Sequence, residues 1–162
     1  VGTLVFLVTR MIGWAKPVPV NPLYFKNPRK GMLWVALAGP ATNMVLALCS
    51  ALFYIGFYNT TILTDSFWWS LKTPLLKMSE VSIYLNVGLA IFNFIPIPPL
   101  DGGRILVGIL PERQALSYAQ IEPYGFIILI LLLITNVVDY VVFPVIKIVV
   151  GLILVFANLL VG

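Results

Sequence analysis

The run Gly31–Tyr58, GMLWVALAGPATNMVLALCSALFYIGFY, carries no charged residue from end to end. As an α-helix it would be ~42 Å long, more than the ~30 Å of a bilayer's hydrocarbon core. A helix apolar on every side has no face to turn toward water, so protein or lipid must enclose it. Composition chooses lipid. Of the 162 residues 60% are hydrophobic and 10% charged, and ten basic plus six acidic side chains are too few to cover a water-soluble domain of this size. The chain is expected to be all-α, a polytopic transmembrane bundle forming a single membrane domain with a proline-rich extended surface loop.

Other segments follow from their interruptions. A second span is expected over residues 81–100, helical from Val81 to about Ile95 and then broken by prolines. The apolar stretch after Pro123 contains Asn136, Asp139, Pro144 and Lys147, which predicts two short helices, 123–138 and 144–161, joined by a tight bend. Asn136 and Asp139 then serve as bend and interface residues. Residues 102–120 read as a short amphipathic helix lying at the interface, broken at Pro111. In residues 15–30 the prolines Pro17, Pro19, Pro22 and Pro28 exclude helix and predict a loop at the membrane surface, anchored by Trp14, Tyr24 and lysines. The opening VGTLVFLVTRMIGW is apolar but shorter than the ~20 residues a span needs, and it lacks a signal peptide's order of charge and cleavage site. Residues 1–14 are therefore expected to be the end of a truncated membrane segment. The single cysteine, Cys49, has no partner for a disulfide and reads as a small buried hydrophobe.

The net charge of +4 reflects topology and does not imply nucleic-acid binding. Arg10, Lys16, Lys26, Arg29 and Lys30 precede Gly31 with no acid among them, which places that side, and Asp101 with it, in the cytoplasm. Residues 59–80, holding Asp65, Lys72, Lys77 and Glu80, are then expected outside, 101–122 inside, and the bend of the last apolar stretch outside.

Two motifs carry chemistry. In NFIPIPPLDGGR, Pro96, Pro98 and Pro99 cannot donate backbone hydrogen bonds, so they unwind the end of a membrane helix just before Asp101, Gly102 and Gly103. Irregular backbone at membrane depth is tolerated where it lines a cavity or is covered by protein. An isolated PLDGG is most often a turn whose aspartate caps the next helix. Here Asn93, the prolines, a carboxylate and two glycines gather within one short stretch beside a span, which favours a polar site. The second motif is LAGPATN, with Gly39, Pro40 and Asn43. Close helix packing, a kink and an interhelical asparagine explain it as well as a site role does.

GWAKPVPVNP, AGPATN and NFIPIPPLDGG resemble, in order and spacing, the site-2 protease family of intramembrane zinc metalloproteases, and within it the short prokaryotic branch without a PDZ domain. The resemblance runs from Gly2 to about Gly125. It implies a protease of a prokaryotic plasma membrane that cleaves transmembrane proteins or signal-peptide remnants. It implies a zinc ion held by Asp101 and by two histidines of an H-E-x-x-H helix whose glutamate activates the metal-bound water. The chain contains no histidine, so that helix is expected upstream of Val1, and the chain alone is expected to be inactive. The resemblance also assigns substrate contact to Asn93 and Pro96, support of the site to Gly39, Pro40, Asn43, Gly102 and Gly103, and reception of substrate to the loop Pro17–Pro22. A substrate helix must be drawn into extended form before cleavage, and the unwound proline segment is expected to offer it a pairing edge.

Two other classes compete. A non-catalytic membrane scaffold would lack the histidines altogether and keep Asp101 as a helix cap. A small transporter would also use broken helices with polar ends, but it would be expected to carry a second interrupted segment like Asn93–Gly103, and none is present.

Overall fold

The computed structural model describes residues 20–61 and 67–161. The expected membrane segment at 1–14, and residues 15–19 of the proline-rich loop, lie outside them. The described residues form a short 3-10 turn at Pro22–Tyr24 and six α-helices: α1 Pro28–Asn59, α2 Phe67–Asn93, α3 Asp101–Ile109, α4 Glu112–Ala119, α5 Glu122–Ile134 and α6 Val137–Val161. Among the described residues α1, α2 and α6 are long and apolar enough to cross a membrane, and the chain is a membrane protein.

α1 begins where its sequence provides both start signals. Asn27 caps it by accepting from the Lys30 amide at 3.2 Å, and Pro28 takes a position that needs no donor. One stripe of α1, Ala47, Ala51 and Ile55, packs against Ile83 and Val87 of α2 and Val150 and Ala157 of α6. Small residues on the stripe let the helices approach closely, which is how helices gain contact energy in lipid. The Ser50 and Ser82 hydroxyls share a 2.8 Å bond across the α1–α2 seam, and Asn86 Nδ2 donates to Ser82 Oγ at 3.2 Å. Exposed Trp34 lies near one end of α1, and exposed Tyr58, Phe67, Trp68 and Trp69 gather at the other. Trp34 and Tyr58 are ~36 Å apart along the helix, the separation expected of two interfacial aromatic belts. Cys49, expected to be buried, is exposed on the outer face of α1.

α2 starts at Phe67, well before Val81. The charges that made residues 59–80 read as a loop are accommodated on a helix. Lys72 Nζ donates to the carbonyls of Tyr58 (3.1 Å) and Thr60 (2.7 Å), capping the end of α1, while Lys77 and Glu80 pair at 2.8 Å one turn apart.

The Ser50–Ser82 bond serves as a rung for judging depth. Counting away from it at equal rise, Asn93 at the end of α2 comes level with Gly39 of α1, about 7 Å inside the level of Trp34. The proline break therefore lies at membrane depth. From there α3 runs back toward the surface antiparallel to α1: a Cβ at Gly108 would sit 2.9 Å from Leu33, and Arg29 Nε donates to the Val107 carbonyl at 3.2 Å. The interfacial helix expected over 102–120 is thus corrected. Its first half, α3, lines α1 and completes the span that α2 leaves unfinished, and α4 follows after a break at Pro111.

The last apolar stretch also departs from expectation. The bend falls at Thr135–Asn136, with Asn136 in the left-handed region (φ 56) that asparagine tolerates. Pro144 lies inside α6 and does not start it. Ile146 of α6 contacts the Gly88 position of α2, and Val150 and Ala157 enter the core beside Ala47, Ala51 and Ile55, so α6 runs parallel to α1. The bend is consequently on the Asp101 side, not the opposite one. α5, ~20 Å long, is too short to span by itself and bends away from α4 by 65°.

Candidate functional site

The broken span brings the C-terminus of α2, the N-terminus of α3 and the Gly39 turn of α1 to one depth. Asp101 is the first residue of α3, and the N-cap is Leu100, with no side-chain cap bond. Asp101 is therefore not the capping residue that an isolated PLDGG suggests. Its carboxylate leans on α1, where a Cβ added to Gly39 would lie 3.0 Å from Asp101 Oδ2. Gly39 leaves that space open. The half-buried carboxylate also places negative charge at the positive end of α3.

Pro40 is fully buried next to Gly39. Lacking an N–H, it cannot close the bond to the carbonyl one turn back, and in the same stretch the Thr42 hydroxyl donates to Ala38 O at 2.8 Å. Asn43, half-buried, is one turn further along the face that carries Gly39.

Gly102 and Gly103 are both buried, and the reason is backbone contact. A Cβ on Gly102 would overlap the carbonyl oxygens of Phe94 and Ile95, and one on Gly103 would come within 3.0 Å of Pro98 N. These glycines let the start of α3 press against the end of α2. Asn93 closes α2, half-buried, and Pro96 is exposed just beyond it.

Residues 94–100 form consecutive tight turns. Phe94 N donates to Ala90 O and Ile91 O, Ile95 N to Phe92 O, Ile97 N to Ile95 O and Leu100 N to Ile97 O. The remaining residues are prolines, so every amide donor of the segment is engaged. The pairing edge expected here is not present in this conformation, because an added strand needs free donors as well as acceptors.

Two residues outside the sequence motifs hold this segment. Tyr118 of α4 donates its hydroxyl to the Pro96 carbonyl at 2.8 Å. Gly125, buried in α5, faces the Pro98 carbonyl so closely that a Cβ would overlap it. A glycine inside an otherwise bulky apolar helix is a signal of close backbone approach, whereas nothing local marks Tyr118. Tyr118→Phe is expected to cost about 1 kcal/mol, the net value of one hydrogen bond, measured by denaturant titration of the whole protein in micelles. No change would mean that the bond contributes nothing to holding Pro96.

The donor set can be tested against a metal. Zinc in a catalytic site takes three protein ligands and keeps one position open. No group of three His, Cys, Asp or Glu gathers among the described residues, and the chain has no histidine. Asp101 is a suitable oxygen donor, but one carboxylate does not make the site.

Comparison with known proteins gives a consistent picture. Residues 13–135 match the model of peptidase family M50. The chain is 37% identical over 147 residues to the provisionally named zinc metalloprotease YwhC of Bacillus subtilis (strain 168), covering 88% of this chain and 64% of that protein. It is 35% identical over 102 residues to the provisionally named zinc metalloprotease Rip2 of Mycolicibacterium smegmatis, covering 62% of this chain and 35% of the relative. The chain thus spans less than two thirds of the length of either relative. No solved structure matches it.

Proposed function

Because this chain belongs to peptidase family M50, we propose that the whole protein is an intramembrane zinc endopeptidase that cleaves transmembrane proteins or signal-peptide remnants in a prokaryotic plasma membrane. The observation that carries the reading is Asp101: a carboxylate at membrane depth, presented by a broken span against a glycine of α1 and not used as a helix cap. A carboxylate in such a place is costly unless paired or bound to a metal.

In this reading Asp101 is one zinc ligand, and two histidines and the general-base glutamate come from residues outside these 162. A relative of which this chain spans 64% has room for them. The chain alone is then inactive. Zinc, when bound, supplies a water that ionises near neutral pH and polarises the scissile carbonyl. The chain's own residues do the positioning. Gly39 clears space for the carboxylate, Gly102 and Gly103 seat α3 against α2, and Pro40 and Asn43 shape the supporting turn of α1. Asn93 and Pro96, at the open end of α2, contact the substrate. The Asp101 side faces the cytoplasm, in keeping with Lys26, Arg29 and Lys30 at the start of α1.

The test is metal removal. The whole protein in proteoliposomes, given a labelled membrane-spanning peptide, should lose cleavage on treatment with a zinc chelator and regain it on adding zinc. Cleavage unaffected by chelation would refute a zinc mechanism, and absence of cleavage with zinc fully bound would favour a binding role.

A further inference from the structure

A cavity of about 500 Å³ opens beside the proline break, along the face of α3 that carries Gly103, Arg104 and Val107. Its volume is that of a small-molecule site. It extends from Pro28 and Arg29, at the start of α1, to Pro98 and Leu100, at the depth of Gly39. Its cationic residues are Arg29 and Arg104, and its acid is Glu122. Neither arginine pairs with a carboxylate among the described residues, where the salt bridge formed is Lys77–Glu80. Arg29 is held in place, since its Nε donates to the Val107 carbonyl at 3.2 Å, which leaves the two terminal nitrogens of the guanidinium for another acceptor. Met32, Leu100 and Val107 make the walls apolar.

We propose that this cavity binds an anionic phospholipid, with the phosphate against Arg29 and Arg104 and the upper part of an acyl chain against Met32, Leu100 and Val107. The two kinds of lining select the ligand. A free phosphate would satisfy the guanidiniums and leave the apolar wall unused. A zwitterionic lipid would fill the wall but bring its cationic group to a lining in which two arginines outweigh the one carboxylate, Glu122. Basic pockets between membrane helices are the sites at which acidic headgroups bind, and guanidiniums match phosphate geometry in bidentate fashion. The cavity wall includes Pro98 and Gly103, so a bound lipid would brace the proline break. The proposal goes beyond the catalytic reading and stands without it.

Native mass spectrometry of the whole protein in neutral detergent tests it, with dioctanoyl phosphatidylglycerol, dioctanoyl phosphatidylcholine and inorganic phosphate as probes. One copy of phosphatidylglycerol should be retained, phosphatidylcholine should bind at least about tenfold more weakly, and millimolar phosphate should not displace the lipid. Removing both guanidiniums in Arg29→Gln/Arg104→Gln should weaken phosphatidylglycerol binding by about tenfold or more, in line with charged hydrogen bonds lost. Met32→Trp, which fills the apolar end and keeps both arginines, should weaken it as well and decides the matter if the double variant does not fold. Lys30→Gln, outside the cavity lining, should bind as the unaltered protein does. Equal binding of the two lipids, full retention in Met32→Trp, or displacement by phosphate, which would make this an ion site, would each overturn the proposal.

Discussion

Asp101→Ala in the whole protein is expected to abolish zinc retention and to lower peptide cleavage by more than about a hundredfold, while leaving the bundle folded. Loss of a residue that merely orients a metal ligand costs about 10- to 100-fold, and loss of a ligand itself should exceed that. The effect on stability should be small. Asp101 makes no cap bond, so the substitution forfeits only the interaction of a carboxylate with the end of α3, about 0.3–1 kcal/mol, and removes a charge from membrane depth. Zinc analysis and a cleavage assay, run beside an unfolding titration, separate the outcomes. If the variant unfolds, Asp101 is a structural residue; if it keeps both zinc and activity, the proposed role fails.

Gly102→Val should be strongly damaging while leaving the chemistry of the site untouched. Its side chain would be driven into the carbonyls of Phe94 and Ile95, which are backbone atoms and cannot rotate aside. Either α3 or the end of α2 must move, at a cost of about 1–3 kcal/mol or more for an overpacked position, and Asp101 moves with α3. Zinc affinity and activity should fall together, with the core of Ala47, Ala51, Ile83 and Val150 still protected from hydrogen exchange. Gly56→Ala is the control. A Cβ at Gly56 meets nothing within 4 Å, so alanine there should be neutral or stabilising by up to about 1 kcal/mol. Equal behaviour of the two variants would mean that the contact between α2 and α3 is not what positions the site.

The features legible in the sequence are those with local causes. The proline break is one, because Pro96, Pro98 and Pro99 remove donors wherever they occur. The charge-free run from Gly31 to Tyr58 is another, because it needs enclosure whatever it packs against; the start of α1 is not, since Pro28, which reads as one of the prolines that exclude helix, is its first residue behind the Asn27 cap. Features set by distant contacts were not legible. Lys72 looks like a loop lysine until α1 supplies the carbonyls of Tyr58 and Thr60 to bind it, so the first half of α2, before Val81, was hidden. The direction of α6 depends on where Val150 and Ala157 find their partners, and residue pattern alone could not say that its bend returns to the Asp101 side. Asp101 could be singled out by its neighbours in the chain, but its approach to Gly39 comes from the packing of α3 on α1. Tyr118 and Gly125 are defined only by carbonyls more than a helix away in sequence.

Zinc-edge anomalous diffraction from crystals of the whole protein addresses the central claim most directly. The account predicts a zinc peak within about 2.2 Å of an Asp101 carboxylate oxygen, at the depth of Gly39, with the other protein ligands contributed by residues beyond this segment. A zinc ion bound elsewhere, with the Asp101 carboxylate held only by protein groups, would contradict it.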